Sequence, residues 1–350
     1  MFFRKKQSLV GLDIGSHSVK VVEIESQPGG GHRLVNYGIS DPLSEAIVDG
    51  EIMDRQLVTD AIANLLETRG VKTRSVVAAV SGRAVIVKKI SMNRLSPEDA
   101  QQAIVWEAEQ HVPYDINDVS LDFEILGDHP QDPKQMQVLL VAAKKDMVLS
   151  FGDLIREAGL VPQVIDVDSF AIQNALAANY DFAPEEVIAI LNVGAEITNI
   201  NIVQNGVPYF TKDLQVGGHT FVDAVQRRYN VTHEVATEAV RGNAPPDLDV
   251  IPVVEQACEG LATALERAQA YLRTTGEAGL LTRLMLCGGS ALTPGLVPFL
   301  QTRFGVPTEI ANPLARIQYD RALFGEDDPL TVAPFLTVGI GLALRKVGDK

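Results

Sequence analysis

The sequence predicts an α/β protein of two similar lobes carrying a smaller inserted unit, and three observations predict it. Segments rich in Val and Ile alternate with helical segments along the whole chain. At 350 residues the chain exceeds the usual size of a single hydrophobic core. The stretch Leu9-Val-Gly-Leu-Asp-Ile-Gly is echoed by Ala189-Ile-Leu-Asn-Val-Gly, and each reads as strand, small polar turn, strand.

The first lobe opens with strands over 8–14 and 18–24, joined by a tight turn at Gly15, Ser16 and His17. Gly29-Gly30-Gly31 turns the chain into a third strand over 33–39. On 54–69, Leu57, Val58, Ala61, Ile62, Leu65 and Leu66 recur at helical spacing, and Gly70 stands where a helix-ending glycine belongs. A strand over 75–80 follows. From 82 to about 160 the chain has its own elements: a strand over 84–90 and a helix opened by Ser96, with Pro97 first and Asp99 third. Strands over 120–126 and 136–143 and a helix over 146–158 complete an inserted subdomain.

A strand over 164–167 then leads into a helix over 168–178, with Asp168 as its N-cap. The second meander comprises 187–193, 198–203 and 207–211, the last pair joined by the hairpin signal Asn205-Gly206. Its first turn is expected to be about one residue longer than the turn it echoes. Helices over 219–229, 233–241, 253–273 and 294–304, with a strand over 283–287, finish the second lobe.

Composition narrows the function. The chain is 46% hydrophobic and 21% charged, which suits packed cores. Its formal net charge of -15, with no basic stripe, argues against nucleic acid as a partner. Cys258 and Cys287 are the only cysteines, and neither has a partner at metal-ligand spacing. The start lacks an apolar leader, and the longest apolar stretch, 335–344, is too short to span a bilayer. These features lead us to expect a cytoplasmic, reduced protein. Phe2, Phe3, Arg4, Lys5 and Lys6 can touch an anionic surface or simply fray.

The chemistry concentrates in glycine turns. A phosphate chain needs backbone N–H groups that approach closely, and Asp13-Ile-Gly15-Ser16-His-Ser18 supplies such a turn, with Lys20 near for charge. Asp13 at a strand end suits hydrated magnesium. Taken alone, the turn is an ordinary hairpin and Lys20 a solvated strand residue. Asn192-Val-Gly194-Ala-Glu196 would face it across a cleft between like lobes. There an amide stands where symmetry expects a carboxylate, so metal activation would be weaker. Gly288-Gly289-Ser290 joins a strand to a helix, a context for a nucleotide base or α-phosphate, and Gly217-Gly218 is a weaker helix-entry signal. Glu266 and Arg267 could reach an adenosine or lie on a solvated face. Asp166 is the candidate catalytic, water-positioning group at the strand-to-helix junction between the lobes.

Together these residues resemble the actin, sugar-kinase and heat-shock-chaperone ATPase superfamily. Gly11-Leu-Asp-Ile-Gly-Ser is similar to its phosphate-1 motif, Asn192-Val-Gly to phosphate-2, Cys287-Gly-Gly-Ser-Ala to the adenosine motif, and Val338-Gly-Ile-Gly-Leu-Ala to the second connecting motif. Trp106-Glu-Ala-Glu-Gln-His-Val-Pro-Tyr, Ile165-Asp-Val-Asp-Ser-Phe-Ala and Val216-Gly-Gly-His-Thr-Phe resemble the PilM family of type IV pilus proteins, with the cell-division protein FtsA as a cousin. The resemblance implies an actin-like, two-lobed, duplicated ribonuclease H-like fold with an FtsA-type 1C subdomain. It places 1–81, 161–180 and 331–350 in subdomain 1A, 82–160 in 1C, 181–215 with 280–330 in 2A, and 216–279 in 2B.

It further implies ATP and magnesium in the interlobe cleft. The residues carried over are Asp13, Gly15, Ser16, Ser18 and Lys20, then Asn192, Gly194, Glu196 and Thr198, then Gly217, Gly218, Arg267, Gly288, Gly289 and Ser290. The implied partner is the N-terminal cytoplasmic segment of PilN, and through it PilO and PilP at the inner membrane, with the pilus motor ATPases as further contacts. Asn192 departs from the superfamily's aspartate, which bears on hydrolysis more than on binding. Two other readings stay open: a small-molecule kinase of the same superfamily, with Asp166 as base, and an actin-like filament former.

Overall fold

The computed structural model describes residues 9–346 except 44, 49, 276 and 277, so the expectation placed on residues 2–6 falls outside the described residues. The chain opens with a meander, β1 (Val10–Ile14), β2 (Val19–Ser26) and β3 (His32–Ile39). A small ribbon, β4 (Ile47–Val48) and β5 (Glu51–Ile52), precedes α1 (Arg55–Thr68). Asp54 caps α1 by accepting from the Leu57 N–H, and Val58, Ile62, Leu65 and Leu66 are its buried stripe. β6 (Ser75–Val80), buried at every residue, then runs parallel to β1.

β7 (Val85–Asn93), α2 (Pro97–Glu109), β8 (Val119–Asp128) and β9 (Gln135–Lys144) form a separate unit. Its strands make an antiparallel sheet with β9 in the middle, and Ile90, Ile104, Val138 and Leu140 share its core. Ser96 caps α2 through the Asp99 N–H, as the sequence predicts. α3 (Lys145–Glu157) and β10 (Val161–Val167) return to the first lobe, where β10 pairs with β6. β10 starts three residues earlier than expected, because a bulge at Pro162 lets it continue the pairing that periodicity alone does not reveal.

After α4 (Asp168–Ala177) come β11 (Val187–Val193), β12 (Thr198–Gln204) and β13 (Val207–Leu214). α5 (Gly218–Tyr229), α6 (His233–Val240) and α7 (Ile251–Thr275) follow, then β14 (Arg283–Cys287), α8 (Leu296–Phe304) and β15 (Thr308–Ile310). β16 (Gln318–Tyr319) pairs with β3, and α9 (Pro329–Val332) and α10 (Thr337–Ala343) end the fold. The first sheet runs β10-β6-β1-β2-β3-β16 and the second β13-β12-β11-β14-β15. Each is an antiparallel meander with two parallel strands beyond its first strand, and the first sheet adds the short parallel β16 at the other edge, so the sequence echo is a duplication of topology.

The register corrects one expectation. Ile14 pairs with Val19 and Val193 with Thr198, so both turns hold four residues and neither is longer. Asp13 therefore lies opposite Lys20, and Asn192 opposite Asn199. The apolar stretch at 335–344 is the buried end of the fold, including α10, which packs on β1 and α4 between the sheets. Here glycine is required: a Cβ on Gly341 would overlap the Ala171 carbonyl, and one on Gly11 the Gly339 carbonyl. A cluster including Leu9, Val77, Ile172, Ile188, Met285 and Leu342 seals this seam.

Candidate functional site

The first-lobe turn is closed by the Gly15 N–H donating to the Ser18 carbonyl at 3.2 Å. Asp13 and Ser18 are buried and Gly15 and Ser16 partly so. The Lys20 ammonium is no solvated strand group: Nζ lies 3.3 Å from Asp13 Oδ2 and packs beneath Gly15. Alternation along β2 points it to the same face as Asp13, and the cross-strand register brings the pair together.

The second lobe gathers three segments around its own turn. The Gly194 N–H donates to Ile197 O at 2.9 Å, Gly218 N–H to Gly194 O at 3.0 Å, His219 N–H to Ala195 O at 2.8 Å, and Ser290 N–H to Val193 O at 2.9 Å. Sequence positions 194–197, 217–219 and 288–290 are thus stitched into one glycine-lined wall. Gly288 has φ +89°, and a side chain there would strike the Asn192 Oδ1. Gly289 lies against the Phe335 ring. Thr198 is fully buried and its hydroxyl donates to Val216 O at 2.7 Å, which makes it a tie within the wall. Glu196 is partly buried at the turn, while Arg267 is exposed on α7 beside a Glu266 that accepts from Arg303 at 2.7 Å.

The walls face one another. His17 of the first turn and His219 of the second lobe meet edge to face with ring centroids 6.2 Å apart. Partial desolvation at this contact, then the neighbouring His219, Lys20 and Arg241, hold the His17 pKa below its ordinary value although the residue keeps an exposed edge.

Asp166 and Asp168 have separate fates. Asp166 is buried, accepts from Arg345 Nε at 2.7 Å and from the Val167 N–H at 2.8 Å, and so ties β10 to the residues after α10. Asp168 is not the N-cap of α4; that position is Val167, without a side-chain cap bond. Its carboxyl is desolvated, hydrogen-bonded by Ser81, and close enough to feel Asp13, Asp213 and Lys20. Desolvation first and the Asp13 charge second push its pKa up to about 7. The group in the place expected for Asp166 is therefore Asp168, two residues on, where the chain has left β10 for the first turn of α4 and strand alternation no longer sets the direction of the side chain.

Sequence reasoning also passed over Asn199 and Asp213. Asn192 Nδ2 donates to Asn199 Oδ1 at 2.9 Å, and Asn199 Nδ2 donates to Asp213 Oδ1 at 2.6 Å. A four-residue turn would have found Asn199, since it fixes the partner of Asn192 seven positions on. A cavity of about 530 Å³ adjoins this row, lined by Ser81, Gly82, Ser169, Asn199 and Asp213 among others, with the glycine turns outside its lining.

The arrangement suits a polyphosphate. It offers paired glycine turns with small residues, the partly buried Lys20 ammonium, and a carboxylic acid that titrates near neutrality. It suits a metal only in part: among the described residues no group of three or more His, Cys, Asp or Glu could hold one. Magnesium would be held by Asp13 through water and by the phosphates it accompanies. Cys287, next to Gly288, is buried, and burial pushes its thiol pKa up to about 12, which disfavours the thiolate that a nucleophile needs.

Comparison with known proteins fits this geometry. Cell division protein FtsA of Streptococcus pneumoniae is 23% identical over 348 residues, covering 87% of this chain and 75% of FtsA. The structure of a PilM-PilN type IV pilus biogenesis complex superposes with TM-score 0.85 and 28% identity over 98% of this chain and 99% of that one. ADP-bound MreB5 of Spiroplasma citri shares the fold at TM-score 0.53 and 13% identity, covering 96% and 94%. The fold is that of the actin-like ATPases. The family described as type IV pilus assembly protein PilM matches residues 11–347, and the chain belongs to that family.

Proposed function

We propose that the chain binds ATP with magnesium between its lobes and acts as a nucleotide-gated scaffold in assembly of the type IV pilus. The observation that carries this reading is the convergence of three second-lobe segments, 194–197, 217–219 and 288–290, opposite the Asp13–Ser18 turn. In it, Lys20 offsets phosphate charge, the turn N–H groups and Ser16 and Ser18 hydrogen-bond phosphate oxygens, and Asp13 orients water on the metal. Bound ATP and magnesium would supply the leaving group and its charge stabilisation. Asp168, with a pKa near neutrality, takes the proton of an attacking water, the role first expected of Asp166. The neutral Asn192 keeps such turnover slow. A kinase would use the same Asp168 as its base, and phosphotransfer in a screen of sugars and acids would favour that alternative.

The chain is divided in this reading into the four subdomains set out above, except that 1C closes with β9: the helix expected to complete it, α3, buries Phe151, Leu154 and Ile155 in the first-lobe core instead. The partner is the N-terminal cytoplasmic segment of PilN, held beside that subdomain, and the similarity to a PilM-PilN complex supports the choice. PilO and PilP are reached through it, and the motor ATPases are further contacts. Among the described residues no helix is long and apolar enough to cross a membrane, which accords with attachment to the inner membrane through partners. Closure can change PilN affinity only by as much as PilN distinguishes open from closed forms. Titrating a PilN N-terminal peptide with and without Mg·ATP tests this: a difference of about fivefold or more is expected, and equal affinities would leave a static scaffold.

A further inference from the structure

A polar row crosses the second sheet at its cleft end. Asp213 on β13, Asn199 on β12, Asn192 on β11 and Cys287 on β14 are each the direct cross-strand neighbour of the next. Asn199 Nδ2 donates to Asp213 Oδ1 at 2.6 Å, Asn192 Nδ2 donates to Asn199 Oδ1 at 2.9 Å, and the Cys287 thiol lies 3.8 Å from Asn192 Oδ1. The other Asp213 oxygen, Oδ2, accepts from the Gly82 N–H at 2.5 Å. Gly82 is the residue at which the chain leaves β6 for the inserted subdomain. Asn199 is buried and Asp213 partly buried.

The direction of this row has a single source. A carboxylate only accepts, so Asn199 must turn its NH2 to Asp213 and its oxygen to Asn192. Asn192 must then spend its NH2 on Asn199 and leave its oxygen against Gly288. The corresponding row in the first lobe is Ile39, Lys20 and Asp13, where an apolar residue occupies the place of Asp213 and the ion pair orients itself. Where the second lobe has replaced the ion pair with two amides, which can each present either end, it has added a charge at the end of the row.

We propose that Asp213 is a positioning residue: by accepting from both Asn199 and the Gly82 amide, it sets which end of the Asn192 amide faces the interlobe site and couples that orientation to the root of the inserted subdomain. The proposal rests on the ATP reading above. Asn at 213 could satisfy Asn199 or Gly82 but would set an NH2 against one of two donors, so the row would lose either its direction or its link to Gly82. The junction cavity lined by Gly82, Asn199 and Asp213 gives that root room to shift when the row rearranges.

The test is amide hydrogen exchange of the full chain with and without Mg·ATP. In the unaltered protein Mg·ATP should slow exchange at 13–18 and 288–290, and also at 82–93 by about fivefold or more. Asp213→Asn and, independently, Asn199→Leu should keep the protection at the turns and lose the nucleotide-dependent part at 82–93, with Asp213→Glu restoring some of it. A residue that merely braces the fold would speed exchange equally with and without ATP, and that result overturns the proposal. So does full nucleotide-dependent slowing at 82–93 in both variants, or turn protection without any effect at 82–93 in the unaltered protein. Failure of Mg·ATP to protect even the turns would overturn the ATP reading as well, which separates the two failures.

Discussion

Asp168 is the residue whose surroundings most change its chemistry. Its folded pKa of about 7 lies above the ordinary 3.8, so the folded state binds its proton more tightly than the unfolded chain does. Its contribution to stability is full below pH 3.8 and is lost as pH rises through 7. Asp168→Asn, which cannot ionise, should therefore raise the melting temperature of the nucleotide-free protein at pH 8 by a few degrees, roughly 2–4 °C per kcal/mol, and by nothing at pH 4. A scan of melting temperature against pH with no convergence of the two proteins at low pH would contradict the desolvated carboxyl. Asp13 differs because Lys20 answers its charge at 3.3 Å. Asp13→Ala should weaken Mg·ATP binding by about tenfold, roughly 1.4 kcal/mol, with a smaller loss when magnesium is chelated. Calorimetric titration in both conditions reads that difference.

Among the elements, α10 is the one least tolerant of change. Its Gly341 backbone touches the α4 backbone at Ala171, so any side chain must push two helices apart in the seam where the sheets meet. Gly341→Val should cost about 3 kcal/mol or more in chemical denaturation, and a change under 1 kcal/mol would show that the helices do not touch as described. α2 makes the opposite case. Its Ser96 cap is on the surface of the inserted subdomain, so Ser96→Ala should cost only about 1 kcal/mol. Trp106 on the same helix is 70% exposed, so it is no part of the subdomain's core, which Ala100, Ile104 and Ala108 supply from this helix.

At the scale of the molecule, the two lobes meet across the His17–His219 contact. His17 holds its proton less tightly in the fold than in the unfolded chain, so its contribution is present above pH 6.5 and is lost as pH falls below it. Protonation there adds a cation beside Lys20, Arg241 and His219. Small-angle scattering should show a larger radius of gyration at pH 5.5 than at pH 7.5 in the absence of nucleotide, and His17→Gln should reduce that change. An identical pH response in the variant would place the opening elsewhere.

The two meanders, the elements of the separate sheet around β9 and the glycine turns were legible along the chain, because these depend on local periodicity, capping and turn chemistry within a few residues of one another. Ser96, Gly70 and Asn205-Gly206 act where they stand. The sequence by itself also determined the family, because the motifs lie in a fixed order along the chain. Tertiary structure alone decided which aspartate faces the cleft, that Lys20 is enclosed, that Thr198 is a tie within the wall, and that Asn192 stands in a row ending at Asp213. Those outcomes depend on register and on the approach of segments far apart in sequence. A shift of two residues between Asp166 and Asp168 leaves the composition of the junction unchanged, yet it exchanges an ion pair with Arg345 for a desolvated acid between the lobes.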